Sequence, residues 1–324
     1  MMIRYYLYIL LLLFFQHCRP TEQTNIIKVG LSHGRSHSFS QALARFKEQT
    51  EERSQGRFHV QIFHSSQIGN EKEMQEMLTI GSLDICISGI LNTYEPLFTL
   101  FEMPYLYRDR EHVIRVNYGP VMQEVASSLE SNGIVLIGFY ENGFRNISTT
   151  HIEINNPTDL AGLKIRTPEN PSQIQTMKSL GAIPTPLSFS ELYSALVQGV
   201  VDGQENPLQN IWFGRLYESQ KYIAMTHHIY NSAYITASKR FWDKLDQKDQ
   251  IMIKGCLRES SKWQLEYMEK MDQELRTKME AKGVTFTDPD RESFKAATMP
   301  AYEAIYSILG DEARGVVKRI RETK

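Results

Sequence analysis

The chain has few cysteines, little net charge and no long apolar run after its N-terminus, and each shortage excludes a class of protein. Three cysteines occur among 324 residues, and none forms a Cys-x-x-Cys pair, which excludes a redox motif and a zinc knuckle. The 36 basic and 38 acidic side chains nearly cancel, giving a net charge of −2. Nucleic-acid binding needs a clustered basic excess, so no nucleic-acid partner is expected.

Three motifs of catalytic or nucleotide-binding proteins are missing as well: His-Glu-x-x-His, a phosphate-binding loop and Gly-x-Gly-x-x-Gly. His33 and His37 stand four apart, but Gly34 and nearby serines indicate a loop with solvated or hydrogen-bonded rings rather than a metal site. His227 and His228 are adjacent, so regular structure points them apart, and we expect them at the surface. The sequence predicts no catalytic residue, no cofactor and no metal.

An apolar run from Tyr5 to Phe15 follows Arg4 at the N-terminus. It is about half of the ~20 residues that span a bilayer, which favours an export signal over residues 1–17 rather than a membrane anchor. Cys18 comes next, where a bacterial lipoprotein carries its lipid, although Phe15-Gln16-His17 lacks the usual small residues. We expect a periplasmic protein and leave a lipid anchor at Cys18 open.

Helix-like and strand-like patterns alternate along the rest of the chain. Apolar residues at three- and four-residue steps predict helices, and short apolar or alternating runs predict strands. This alternation is typical of an α/β fold with mainly parallel strands. The pattern Leu-x-x-Gly-x-x-Asp occurs at 78–84 and returns at 196–202, each time at a step from helix to strand. The repeat favours two similar α/β lobes.

One helix is predicted to be unusually long. Residues 246–282 contain no proline and carry an apolar stripe at helical spacing, with Asp246 as a good N-cap and Gly283 as a good stop. At about 1.5 Å per residue the helix is about 55 Å long, enough to bridge two lobes. The alternative is two shorter helices broken near Gly255, because an internal glycine is costly.

Two arginines follow predicted buried strands. Arg166 ends the strand around 164–167, and Arg145 follows the strand of residues 134–139. Ligands of open α/β sheets bind beyond the carboxyl ends of strands, and a guanidinium there suits a carboxylate. Each arginine alone is more often an ordinary surface residue. Phe189 is either an apolar wall of the site or a core residue, and residues 201–207 add a polar loop.

Six segments together resemble the solute-binding proteins of TRAP (tripartite ATP-independent periplasmic) transporters of the DctP type. They lie between about residues 26 and 290: Ser65–Glu71, Phe101–Leu106, Asp159–Pro168, Gly181–Pro186, Phe189–Tyr193 and Val201–Pro207. The resemblance implies a two-lobed periplasmic-binding-protein-like fold with a ligand cleft between lobes and a long helix spanning both. It also implies discontinuous lobes, which we expect at 26–143 plus 232–271 (lobe I) and 144–231 plus 272–324 (lobe II).

The resemblance also implies roles for particular residues. The family's carboxylate-anchoring arginine falls on Arg166, and a second arginine near the lobe crossing falls on Arg145. Its cleft asparagine falls on Asn206, its aromatic wall on Phe189 and a cleft acid of the first lobe on Glu71. The expected function is capture of a small organic acid and its delivery to integral membrane TRAP subunits.

Two departures from the family pattern bear on the ligand. Sialic-acid binders of this family carry a glutamate where this chain has Gly89 and an asparagine where it has Glu169, so sialic acid is disfavoured. Glu169 would accept hydrogen bonds from hydroxyl groups of a sugar acid such as a uronate, and a C4-dicarboxylate remains equally open. The rival functions are an enzyme acting on an acidic sugar through Glu71 and Glu169, and a periplasmic ligand sensor.

Overall fold

The computed structural model describes residues 25–324. The predicted export signal at 1–17 and the proposed lipidation at Cys18 therefore lie outside the described residues. Within residues 25–324, none of the helices combines the length and the apolar character needed to cross a bilayer.

The described chain forms one mixed sheet with the strand order β2-β1-β3-β8-β4-β7-β5-β6, and β9 pairs with β8 at the side. The strands are β1 Asn25–Leu31, β2 Phe58–Phe63, β3 Ile85–Ser88, β4 Ile134–Thr149, β5 Lys164–Thr167, β6 Ile183–Pro186, β7 Gly203–Asn206, β8 Tyr222–Ser238 and β9 Thr285–Thr287. Helices cover the sheet: α1 Ser38–Arg53, α2 Glu71–Ile80, α3 Arg110–Asn117, α4 Pro120–Ser127, α5 Pro171–Ser179, α6 Phe189–Val197, α7 Leu208–Phe213, α8 Lys239–Trp242, α9 Gln247–Glu280, α10 Arg291–Leu309 and α11 Glu312–Glu322. The predicted α/β class is confirmed.

Two long strands join the two halves of this sheet. β1, β2 and β3 are parallel in the first half, and β5, β6 and β7 are parallel in the second. β4 and β8, of 16 and 17 residues, pair antiparallel with each other through both halves. Their register shifts between Glu141 and Gly143 and again between Arg145 and Ile147. Such irregularities bend a strand and redirect its side chains, here where the lobes meet.

The repeated Leu-x-x-Gly-x-x-Asp pattern builds the same local structure in both lobes. Gly81 and Gly199 end their helices with φ values of 73° and 68°, which glycine adopts without strain. The carboxylate of Asp84 then accepts a hydrogen bond from the backbone N–H of Lys28 at 2.8 Å. Asp202 accepts the equivalent bond from the backbone N–H of Lys164, also at 2.8 Å. Each aspartate thus ties the turn after a helix to the neighbouring parallel strand.

Helix α9 is continuous through Gly255, so the alternative of two shorter helices was wrong. Its 34 residues extend about 50 Å, and the Asp246 side chain caps its N-terminus by accepting from the Asp249 N–H at 2.8 Å. Cys256 packs in a first-lobe core, whereas Leu275 packs in a second-lobe core. Because one rigid helix contributes to both cores, it spans both lobes. Cys86 and Cys256 are both buried free cysteines.

The C-terminal helices differ from the predicted lobe boundaries. α10 contributes Phe294 to a second-lobe core and Ile305 to a first-lobe core, so the chain crosses between lobes along this helix. The buried face of α11, including Val316 and Ile320, then joins the first-lobe core. The predicted assignment of 312–322 to lobe II missed this return, since amphipathic spacing does not reveal which lobe a helix covers. The remaining boundaries stay a prediction.

Candidate ligand-binding cleft

A cavity of about 120 Å³ lies between the two lobes. Its walls come from the segments after β1 and β3 in the first lobe and from β5, β7 and the start of α6 in the second. All six residues that the sequence analysis selected line it: Glu71, Arg145, Arg166, Glu169, Phe189 and Asn206. The fold therefore brings them together, although their surroundings differ and suit them to different tasks.

Arg166 is a buried cation without an acidic partner. Its side chain is 2% exposed, and its Nε and Nη2 donate to the Leu187 carbonyl oxygen at 3.0 and 2.6 Å. No carboxylate of residues 25–324 forms an ion pair with it. Burial, and next the positive charge of Arg145, lower the pKa of Arg166 to about 10, so it remains protonated at neutral pH. Glu205, Glu71 and Glu191 offset part of this effect from a distance, and the charge of Arg166 faces the cavity without an ion pair.

Arg145, in contrast, is already paired. Its Nε and Nη2 bind the carboxylate of Glu205, with one Nη2 contact at 2.8 Å, and Nη2 also donates to the Glu205 carbonyl oxygen at 2.5 Å. His228 lies 3.2 Å from the same carboxylate. Burial opposes ionisation of Glu205, but Arg145 and His228 outweigh it and hold the pKa of this carboxyl below its ordinary value. Of the two arginines selected from the sequence, Arg145 is therefore already compensated by Glu205, and only Arg166 lacks an ion-pair partner among residues 25–324.

A chain of buried side-chain amides forms the floor of the cavity. Asn206 donates to the Gln204 amide oxygen at 2.5 Å and accepts from Asn210 at 2.9 Å. Asn210 also donates to Asn142, whose amide in turn donates to Asn231 at 2.5 Å. Because every member is anchored by its neighbours, the amide groups are held in fixed orientations.

The carboxyl of Glu102 lies at the first-lobe end of this amide chain. It accepts from Asn231 at 2.5 Å and from Asn170, the N-cap of α5, at 2.8 Å. Glu102 thus connects the first lobe with a helix of the second. Burial raises the pKa of Glu102 to about 8, partly opposed by Arg145. No sequence pattern indicated this role of Glu102, because its partners are distant in the chain.

The two acidic residues selected from the sequence occupy unequal positions. The Glu71 carboxylate accepts from the Ser88 hydroxyl at 2.9 Å and from the Gly89 backbone N–H at 3.0 Å, so it holds the turn after β3. Glu169 is exposed at the rim, and its backbone carbonyl accepts from the Asn92 side chain at 3.3 Å. That contact joins the two lobes across the cleft.

Phe189 stacks on the ring of His33 across the cleft, with ring centroids 4.8 Å apart. His33 is buried rather than solvated, so the expectation of a solvated or hydrogen-bonded ring was wrong for it: neither ring nitrogen has a hydrogen-bond partner among the described residues. His37 is also buried, and it is hydrogen-bonded to Asn210 at 2.9 Å. The burial of both histidines was not predicted, because aromatic side chains from distant segments enclose the loop.

The expectation of surface positions for His227 and His228 was also wrong. His228 is fully buried against Glu205, and His227 is half-buried and has a positive φ of 46°. The lobe crossing in β8 buries this segment, which the sequence pattern did not reveal.

Sequence reasoning also missed Ser32 and Gln173, which line the cavity with side-chain polar atoms that have no partner among residues 25–324. Ser32 stands in Gly30-Leu31-Ser32-His33-Gly34, which has the Gly-x-Ser-x-Gly spacing of a nucleophile elbow. Its hydroxyl has no hydrogen-bonded base, which an activated serine needs. In the described part of the chain, no group of three or more His, Cys, Asp or Glu side chains is arranged to hold a metal ion.

Two α/β lobes joined by crossing strands, a cleft between them and a buried arginine facing that cleft define a two-lobed solute-binding protein. Residues 29–308 match the DctP family, described as bacterial extracellular solute-binding protein family 7. The chain belongs to this family.

Individual relatives agree with that assignment. A solute-binding protein of Verminephrobacter eiseniae is 33% identical over 85% of this chain and 83% of its own. The 2,3-diketo-L-gulonate-binding periplasmic protein of Escherichia coli is 30% identical, with 84% of each chain covered. A TRAP periplasmic solute-binding protein from Polaromonas, solved with D-erythronate, superposes with a TM-score of 0.88 at 30% identity, covering 93% of this chain and 99% of that one. These are binding proteins rather than enzymes.

Proposed function

We propose that this chain is the extracytoplasmic solute-binding subunit of a TRAP transporter, which binds a small organic acid in the cleft and delivers it to membrane subunits for uptake. The observation that carries the proposal is Arg166, a buried guanidinium without an acidic partner in the described chain. A buried charge is costly unless it is paired, and a ligand carboxylate supplies the missing partner.

The other lining residues have separate tasks in this proposal. Arg145 is held by Glu205 and adds positive potential beside Arg166, while Asn206 presents a fixed amide to the ligand. Phe189 closes one wall. Glu71 shapes the turn after β3 through its bond to the Gly89 N–H, and Glu169 accepts hydrogen bonds at the rim.

Closure of the lobes strengthens the ion pair at Arg166, because excluding water lowers the local dielectric. The ligand favours the closed form only through contacts that it makes better there. Contacts across the cleft, such as Phe189 on His33 and Asn92 on the Glu169 carbonyl, stabilise that form. The closed form then docks on the membrane subunits.

The chemistry of the cleft and the ligands of relatives support an organic acid. The ligands named for two of the relatives above, 2,3-diketo-L-gulonate and D-erythronate, are both hydroxylated acids. A C4-dicarboxylate is the alternative, since the name of a relative from Rhodobacter capsulatus, 29% identical, specifies that ligand. We place the protein in the periplasm after export. The alternative is a protein attached to the membrane through a lipid on Cys18.

The enzyme alternative gains no support from the cleft. A Glu71–Glu169 pair would need two carboxyl groups facing one substrate bond. Glu71 instead bonds Ser88 and Gly89, and Glu169 is exposed. Incubation with uronate glycosides would show product if this view is wrong. The sensor alternative predicts a histidine kinase gene beside this one, whereas uptake predicts genes for membrane transporter subunits.

A thermal-shift screen of organic acids tests the proposal. A ligand that binds only the folded chain stabilises it by about 2.7 kcal/mol at a hundred times its Kd, which raises Tm by several degrees. We expect such a shift with at least one sugar acid or dicarboxylate and none with neutral sugars. A flat response to dicarboxylates, sugar acids and keto acids alike would refute the function.

A further inference from the structure

Three side chains in the cavity wall carry polar atoms without hydrogen-bond partners. They are the Ser32 hydroxyl, both ring nitrogens of His33 and both the oxygen and the nitrogen of the Gln173 amide. His33 is 8% exposed and Gln173 is 1% exposed, so bulk water does not satisfy them. Buried polar groups in folded proteins are nearly always hydrogen-bonded, and a cluster of exceptions around one cavity indicates missing partners.

The missing partners must both donate and accept hydrogen bonds. The Gln173 amide offers one acceptor oxygen and an NH₂ donor, and the Ser32 hydroxyl is both donor and acceptor. Burial, and next the neighbouring His37, lower the pKa of His33 well below its ordinary value, so its ring is neutral and has one donor and one acceptor. A carboxylate only accepts, whereas an alcohol does both. Hydroxyl groups therefore match this part of the wall, and carboxylate groups do not.

The charges of the cavity allow one buried carboxylate. Arg166 is unpaired, but Arg145 is already neutralised by Glu205. Lys72 lines the cavity only at its exposed edge, and Glu71 and Glu191 lie in the same wall. A second ligand carboxylate would meet these acids without a buried cation of its own, which is costly at low dielectric.

We infer that the cavity selects a polyhydroxylated monocarboxylic acid, whose hydroxyl groups bind Gln173, Ser32 and His33 while its carboxylate pairs with Arg166. The inference rests on the proposed function and narrows its ligand class. Ser32 and His33 follow β1 in the first lobe, whereas Gln173 lies on α5 in the second. A ligand bearing several hydroxyls thus contacts both lobes at once, and these contacts favour the closed form.

Isothermal titration calorimetry on the full chain with four-carbon acids tests the inference. The probes are D-erythronate (one carboxylate with hydroxyls), butyrate (one carboxylate alone) and succinate (two carboxylates), with D-galacturonate and L-gulonate as longer hydroxy acids. We expect at least one hydroxy acid to bind at least tenfold more tightly than butyrate and succinate. If succinate binds as tightly as the best hydroxy acid, the inference is overturned and the proposed function stands. If no acid binds, the proposed function fails.

The variant Gln173→Leu tests whether Gln173 causes the preference for hydroxy acids over succinate. It keeps the approximate size of the side chain and removes both polar atoms, so binding of the best hydroxy acid should weaken about tenfold while binding of succinate changes less than about twofold. Gln175→Leu, on the same helix but outside the cavity, is the matched control and should leave both unchanged. If Gln173→Leu weakens both ligands equally, or neither, then Gln173 does not bind the hydroxyl groups of the ligand.

Ser32→Ala provides an independent check in case Gln173→Leu fails to fold, which thermal melting would reveal. Removing one hydroxyl from a small side chain leaves packing nearly intact, and we expect about a threefold to tenfold loss for the hydroxy acid alone. Unpaired atoms could instead be satisfied by water, and then Ser32→Ala would leave the preference for hydroxy acids unchanged. That result would contradict the direct contact.

Discussion

Replacing Arg166 by alanine is the most direct perturbation of this cleft. The side chain is almost completely buried, and it is fixed by two hydrogen bonds to the Leu187 carbonyl oxygen rather than by an acidic neighbour. Its charge is therefore available to the ligand. The substitution removes that charge and leaves the ligand's carboxylate without a partner in a closed, water-poor cavity.

The expected loss of binding free energy is about 2–5 kcal/mol, the range for truncating one partner of a buried hydrogen-bonded charge pair. This corresponds to roughly 30-fold to several thousand-fold in Kd. Arg166→Lys should also weaken binding, because the ammonium keeps the charge but cannot make the two parallel bonds of a guanidinium. The lysine variant should therefore fall between the wild type and Arg166→Ala.

The assay is isothermal titration calorimetry with the acid that gives the largest thermal shift. Arg215→Ala is a matched control on the second lobe, since Arg215 is exposed and pairs with Glu218 away from the cavity. It should bind like the wild type. An unchanged Kd for Arg166→Ala would refute the proposed anchor, because no other described buried cation in the cavity lacks an acidic partner.

The ligand-free protein gives this prediction a second readout. Burial and the nearby charge of Arg145 lower the pKa of Arg166, which makes its ionised form unfavourable in the folded protein by on the order of 3 kcal/mol at neutral pH. Arg166→Met removes this cost while filling similar space, so the free energy of unfolding without ligand should stay the same or rise. A large loss of stability would mean that Arg166 supports the fold rather than the ligand.

Three further predictions follow from other contacts of the cleft. Glu205→Gln leaves the buried Arg145 without its counter-charge, so urea denaturation should show a loss of about 3–5 kcal/mol. Phe189→Ala removes the ring stacked on His33, and the ligand's Kd should rise about threefold to tenfold without a matching loss of stability. Because burial raises the pKa of Glu102 to about 8, the folded state holds a proton that the unfolded state releases near pH 4.5. As the pH rises from about 4.5 to 8, Glu102 therefore lowers the free energy of unfolding by at most about 1.4 kcal/mol per pH unit, and Glu102→Gln should remove this contribution when its pH profile is compared with that of the wild type.

Each of these predictions has a contradicting result. Wild-type stability in Glu205→Gln would mean that Arg145 is not dependent on this partner. An unchanged affinity in Phe189→Ala would mean that the Phe189 ring makes no contact that contributes to ligand binding. A pH dependence of stability that is the same in Glu102→Gln as in the wild type would contradict the buried, protonated form of Glu102.

Local patterns predicted most of the secondary structure, and together with the family resemblance they predicted several residues that line the cleft. The Asp246 cap and the unbroken apolar stripe indicated α9, and the repeated Leu-x-x-Gly-x-x-Asp pattern indicated two related lobes. The strand-end rule and the family resemblance selected six residues that the fold places around one cavity. Their roles in binding remain predictions.

Contacts between distant segments were not predictable in the same way. Arg145 and Arg166 look equivalent in the sequence, yet only Arg145 is neutralised, because β4 pairs with β7 and places Glu205 beside it. The burial of His33 depends in part on Phe189, which is far away in the chain and belongs to the other lobe. α11 likewise joins the first lobe through a return of the chain that no local pattern records.

The sequence by itself determined the α/β class, the long helix and the presence of arginines at strand ends, because periodicity, caps and strand-end position are local properties. Only the tertiary structure decided which arginine stays uncompensated and which polar atoms lack partners. Both depend on which charges and hydrogen-bonding groups the folded chain brings within contact distance, and burial then determines how strongly an unpaired group favours a ligand.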